Sequence, residues 1–175
     1  AGFLLNNELD DFSLKPGSAN GYGLVQGAVN AIAPGRRPLS SMSPTLVFRP
    51  SGEPLLATGS PGGSRIITTV LQVLLNRLAF GLNLASSVAA PRIHSQLWPD
   101  QISIEEGLSP DTRRLLEAMG HKLVTVPAMG SANSVEVLPA KGAPAGPGVV
   151  SRRALSGGSL GVADPRRRDA AAVPE

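Results

Sequence analysis

Residues 6–12 read Asn-Asn-Glu-Leu-Asp-Asp-Phe, which sets Glu8, Asp10 and Asp11 within four positions of one another. Carboxylates this close repel unless a cation or hydrogen-bond donors compensate them. A substrate ammonium group would do so, as would Ca²⁺ or Mg²⁺. No calcium-loop spacing is present, so no metal and no cofactor is expected here; the bland alternative is a solvated acidic turn. A second segment, Arg36-Arg37-Pro38-Leu39-Ser40-Ser41-Met42-Ser43-Pro44, offers adjacent hydroxyl donors beside guanidinium charge, a combination that suits a carboxylate. Serine-rich loops more often satisfy their own backbone.

The third segment, Gly59-Ser60-Pro61-Gly62-Gly63-Ser64-Arg65, runs straight into an apolar periodic stretch. Its paired glycines allow positive φ and close approach, so that consecutive N–H groups can converge on an anion at a helix N-terminus. Such a loop suits a phosphate, or the oxyanion that forms during acyl transfer. It lacks the lysine and spacing of a Walker A loop, and a plain turn before a helix is the alternative. Together the three segments can hold the ammonium, carboxylate and acyl carbon of an amino-acid-like substrate. They contain no nucleophile. No Ser-His-Asp arrangement is evident, and His94 and His121 fall outside any motif, which makes them ordinary structural or surface histidines.

The elements that must position these segments are short. Apolar runs at 45–48 and 55–58 flank Arg49-Pro50-Ser51-Gly52 and predict a hairpin. Residues 65–78 predict a helix whose apolar residues wrap far enough round to be buried on more than one side. A second helix is expected over 84–89, stopping before Pro91. A third starts at Ser109 as N-cap with Pro110 at its first position and Asp111 near the positive end of the dipole, and ends at Gly120. Strands are expected at 3–5, 122–126, 134–138 and 160–163. The stretch 9–43 shows little periodicity, and a loop of that length is usually functional or disordered. Strands and helices do not alternate regularly, which favours an α+β, layered domain over a Rossmann type. The chain divides into a core over 1–138, a flexible Gly/Pro-rich insertion over 139–158, and a final strand with a basic tail over 159–175.

Composition narrows the class. Hydrophobic residues make up 42% of the 175, enough for one globular core, yet aromatics are only 3%, so that core must rest on Leu, Val, Ile and Ala. There is no cysteine, which excludes disulfides and thiolate metal sites. The longest apolar runs are too short to cross a bilayer, and residue 1 opens no signal peptide, although the apolar start AGFLL reads as though cut from something longer. The net charge of +3 owes much to Arg152, Arg153 and residues 166–168. No stacking aromatic stands beside them, so they read as a solvated basic tail and no nucleic-acid partner is expected.

LLNNELDDFS (4–13), RPLSSMSPT (37–45), GSPGGSRIITTVLQ (59–72), APRIHSQLWPD (90–100), GLSPDTRRLLEAMGH (107–121), MGSANS (129–134) and GVADPR (161–166) together resemble, in order, the small subunit of the gamma-glutamyltransferases, the glutathione hydrolases. The resemblance covers nearly everything outside 139–158. It implies an N-terminal-nucleophile hydrolase, an αββα sandwich shared with a large subunit cut from the same precursor, and here only partial, without the first strands and the nucleophile. That nucleophile would be a threonine exposed by self-cleavage, its own α-amino group serving as base. The resemblance places it before Ala1, so none of Thr45, Thr58, Thr68, Thr69, Thr112 or Thr125 inherits the role.

Carried over by position, Asp11 is similar to the aspartate that binds the substrate ammonium, with Glu8 assisting and Asp10 buttressing the loop. Ser40 and Ser41 match the pair that holds the α-carboxylate, Gly62 and Gly63 the oxyanion-hole glycines, and Tyr22 the tyrosine on a mobile lid of bacterial members. The implied activity is γ-glutamyl transfer or hydrolysis on glutathione and related compounds, with water, an amino acid or a peptide as acceptor. The implied location is periplasmic or secreted. Two alternatives stay open: a cephalosporin- or glutaryl-acylase-like relative, and a catalytically dead paralogue or truncated binding module.

Overall fold

The computed structural model describes residue 2, residues 5–139 and residues 158–166. Residues 3 and 4 of the strand expected at 3–5, most of the 139–158 insertion and the tail from 167 onward lie outside the described residues.

Two sheets carry the fold. The first joins β1 (Thr45–Phe48), β2 (Pro54–Gly59), β6 (Asn133–Val137) and β7 (Ser159–Val162) in that order, all antiparallel. The hairpin expected over 45–58 is β1–β2, and its turn closes through Gly52 N–H to the Arg49 carbonyl at 2.8 Å. The second sheet joins β3 (Ile93–His94), β4 (Ile102–Glu105) and β5 (Leu123–Val126). Neither β3 nor β4 was expected. β3 is two residues long and β4 alternates Ile with polar residues over only four, so neither makes a period that stands out. β4 and β5 are parallel, joined by α3 (Pro110–Ala118), a single crossover in an otherwise α+β chain.

Residues Arg65–Leu74 form α1, and Leu75–Ala79 then continue as a π-helical turn, so the expected helix over 65–78 changes its hydrogen bonding in the last turn. Helix α2 spans Leu84–Ala89, with the Asn83 side chain accepting from Ser86 N–H at its start. Both helices pack on one face of the first sheet. Val73 and Leu84 meet Leu56, Val88 and Ala132 there, at about 1.5–3 kcal/mol for each fully buried aliphatic side chain. Only one side of α1 is covered: Ile66, Thr69, Val70 and Val73 are buried, whereas Ile67, Leu71, Leu75 and Leu78 stay open, so burial on more than one side is not met within this chain.

The third helix starts at Ser109 as expected, with Pro110 at its first position, although the Ser109 hydroxyl makes no capping bond. It ends in a Schellman arrangement: Gly120 N–H donates to Glu117 O at 2.9 Å and His121 N–H to Leu116 O at 3.1 Å. Gly120 takes φ +92°, the left-handed conformation the motif requires.

Arg166 departs from the expected solvated tail. Its guanidinium binds Glu105 at 2.6 Å and Asp164 at 3.2 Å, while Arg92 binds the other oxygen of Asp164 at 2.6 Å. The four side chains are buried, between 0% and 9% exposed. Burial opposes ionisation of both acids, but the bonds each accepts outweigh it. Arg166 and the backbone N–H groups of Met129 and Arg92 hold Glu105 below the ordinary carboxylate range, and Arg166 N–H, Arg92 and Ala132 N–H do the same for Asp164. This network ties α2, β4, the 129–132 loop and the end of β7 into one unit.

Candidate active site

The loop 9–43 is folded rather than open. Glu8–Asp11 form a 3-10 turn, Ala28–Asn30 another, and Ser13 pairs with Ala31 in a short parallel bridge. At the centre lies Asn30, buried. Its amide donates to the Asp11 carbonyl at 2.7 Å and to Gln26 Oε1, its carbonyl oxygen accepts Leu39 N–H at 3.0 Å, and its backbone carbonyl accepts Ser13 N–H at 2.9 Å. One side chain thus joins the acidic turn, the segment at Gln26 and the approach to the serine pair.

The segment around Tyr22, expected as a lid, is a miniature hairpin. Ala19 and Val25 form an antiparallel bridge, and Asn20 Oδ1 accepts the N–H groups of Tyr22 and Leu24 at 2.9 and 3.0 Å. Its turn folds the Tyr22 ring onto the Gly62–Gly63 loop. A Cβ added at Gly63 would lie 2.5 Å from Tyr22 Cζ, so no side chain fits between them. Gly62 and Gly63 take φ +139° and +56°, and their carbonyls accept Arg65 N–H and Ile66 N–H, each at 3.1 Å, at the start of α1. No described residue accepts a hydrogen bond from the N–H of either glycine. Behind the loop, Gly130 approaches so closely that an added Cβ would lie 2.5 Å from Ser60 Oγ, which accepts Ser131 N–H at 2.9 Å.

These pieces enclose one cavity of about 590 Å³, lined among others by Glu8, Asp10, Asp11, Tyr22, Ser41, Gly62 and Gly63. Ser40 does not line it; its hydroxyl accepts Met42 N–H at 3.2 Å in a local turn. Burial, then the charges of Glu8 and Asp10, push the Asp11 carboxyl above its ordinary value. Among the described residues no group of three or more His, Cys, Asp or Glu side chains is placed to share a metal. His94 is buried and bonded, as a structural histidine would be, and His121 is exposed. The sequence reading missed Asn30 and Gln96, because an amide side chain among many polar residues carries no pattern until its partners are known.

Comparison with known proteins follows the same line. A family model described as Gamma-glutamyltranspeptidase matches residues 1–173. The chain is 57% identical over 139 residues to the glutathione hydrolase proenzyme of Escherichia coli, covering 79% of this chain but 24% of that protein. It therefore spans about a quarter of that relative's length, and a similar share, 21%, of the proenzyme of a Pseudomonas species. In three dimensions it is similar to the T380A mutant of Helicobacter pylori gamma-glutamyltranspeptidase, with a TM-score of 0.80 and 48% identity over 95% of this chain and 83% of that one. A more distant likeness is to cephalosporin acylase from Bacillus halodurans, with a TM-score of 0.61 and 25% identity over 78% of this chain and 23% of that one.

Proposed function

The chain belongs to the gamma-glutamyltranspeptidase family, and from that premise we propose that it forms the substrate-binding part of an enzyme that transfers or hydrolyses γ-glutamyl groups. The observation that carries the reading is convergence: Glu8, Asp11, Ser41, Gly62 and Gly63 all line a single cavity. In the proposed reaction Asp11 and Glu8 hold the substrate α-ammonium. Ser41 holds the α-carboxylate, with Ser40, which does not line the cavity, as the proposed second member of the pair. A threonine hydroxyl attacks the γ-amide carbonyl, and its proton passes by way of the threonine amine to the leaving amine. The N–H groups of Gly62 and Gly63 stabilise the oxyanion in between. Water, an amino acid or a peptide then takes the γ-glutamyl group from the threonine.

None of the 175 residues is proposed as that nucleophile. The role goes to a threonine outside them, released by self-cleavage of a precursor that also supplies a large subunit. Glutathione is the proposed donor, and the periplasm or the exterior of the cell the proposed location; both rest on family membership. The open face of the first sheet supports a covering second layer. Leu46, Ala57, Val135 and Gly161 lie in register across it, and Leu46 and Val135 are exposed.

Release of an aniline from a γ-glutamyl anilide tests the reading, with the complete precursor and this 175-residue chain assayed in parallel. Activity in the precursor alone is the expected result. A second reading, an acylase acting on glutaryl side chains, draws on the likeness to cephalosporin acylase. A glutaryl group has no ammonium to offset Asp11, so a γ-glutamyl anilide should be cleaved far faster than a glutaryl one; the reverse preference would favour the acylase. A folded, self-cleaved precursor that cleaves neither would favour the dead paralogue.

A further inference from the structure

Gln96 stands between the lid and the oxyanion loop. Its Nε2 donates to the Tyr22 carbonyl at 2.9 Å, with the Trp98 carbonyl at 3.4 Å as a second, longer contact. Its Oε1 accepts from Ser64 Oγ at 3.0 Å and faces His94 Nε2 at 3.1 Å. The amide orientation follows from these partners. Flipping it would set a carbonyl oxygen against two other carbonyl oxygens, so the nitrogen must point at the lid.

With Oε1 able only to accept, His94 Nε2 must carry a hydrogen. The buried ring is held on its other side by Thr68 Oγ1, at 2.9 Å from Nδ1, one turn of α1 beyond Ser64. Gln96 is therefore backed by the rigid helix and reaches forward to the lid.

We propose that Gln96 is a positioning residue for acyl transfer: its carboxamide latches the backbone of Tyr22 to Ser64, the residue that follows the oxyanion glycines, and so fixes the closed position of the lid. The proposal rests on reading Gly62–Gly63 as the oxyanion site. Because the Tyr22 ring lies against Gly63, holding the Tyr22 backbone also holds the ring over the glycine loop that lines the substrate cavity. One net hydrogen bond is worth about 3- to 10-fold in the ratio of closed to open lid. The latch should therefore appear in substrate affinity more than in the chemical step.

The test uses the complete, processed protein. Gln96→Met keeps the length and loses every bond, whereas Gln96→Glu keeps the acceptor for Ser64 and His94 and loses the donor to the lid. Both should raise KM for a γ-glutamyl anilide by about 3- to 10-fold with a smaller change in kcat. In a Tyr22→Ala background, Gln96→Met should add little, since the ring it positions is gone. Additive losses, or a wild-type KM in both Gln96 variants, would overturn the latch. Hydrogen–deuterium exchange across residues 17–26 gives a reading that does not need turnover. Gln96→Met should speed exchange there and leave α1 unchanged; unchanged lid exchange overturns the proposal even if the wild type cleaves no anilide, a result that would separately count against the proposed function.

Discussion

Asp11 is half-buried and shares its turn with two other carboxylates, so its ionised form is disfavoured. With a folded-state pKa above the unfolded value, the ionised group costs the fold stability at neutral pH, and that cost disappears as the pH falls through the raised pKa. Asp11→Asn should therefore leave thermal stability at pH 7 equal or slightly higher, while raising KM for a γ-glutamyl anilide at least tenfold, about the effect of losing one charge-assisted bond. Binding of the ammonium needs the ionised form. In the wild type kcat/KM should thus fall on the acid side at a pH above that of an ordinary aspartate. An Asp11→Asn enzyme with unchanged KM would remove Asp11 from the site. In the glycine loop, Gly63→Ala should drive a methyl into the Tyr22 ring. The expected outcome is a displaced lid and a rate loss of more than about tenfold, relieved in part by Tyr22→Ala, which kinetics on the double variant would check.

The helices and the strands β1, β2, β5, β6 and β7 follow local rules that can be read from the chain; the loop over 9–43 does not. Pro110 and Gly120 bracket α3 as a starting proline and a left-handed stop should. Loop 9–43 instead takes its shape from Asn30, which binds Asp11, Gln26 and Leu39 across separations of 19, 4 and 9 residues. Asn30→Ala would leave the Asp11 carbonyl and Leu39 N–H without that partner. We expect a loss of about 1–3 kcal/mol in denaturant unfolding of the whole protein. KM should rise more than kcat falls, because the acidic turn and the serine segment would lose their mutual register. Wild-type stability and KM in that variant would show that the loop holds itself without its hub. β3 and β4 were illegible for a related reason. Their short runs are strands only because β5 lies beside β4 after the α3 crossover.

At the scale of the molecule, the buried Arg92–Asp164–Arg166–Glu105 network joins segments from α2 to the far side of the 139–158 insertion. Asp164→Ala would strand the Arg92 guanidinium in the interior, and should cost about 3–5 kcal/mol, measured by urea unfolding. Both acids have folded-state pKa values below their unfolded ones. Their stabilisation is thus complete above the ordinary carboxylate range and lost only as the pH falls through the lowered values. The Asp164→Ala protein should show a shallower loss of stability over that acid range, and an unchanged acid profile would count against the network. The sequence by itself determined the helices with the Pro110 start and Gly120 stop of α3, the β1–β2 hairpin and the chemistry available in three polar segments, because those signals act within a few residues of the chain. Only the tertiary structure decided that Asp11, Ser41 and Gly63 line one cavity, that Ser40 does not, that Gln96 meets Tyr22 across 74 residues, and that Arg166 is interior rather than tail. Those outcomes depend on which distant segments closure of the core brings together, and an amide or a guanidinium carries the same local signature whether it ends in water or against a buried partner.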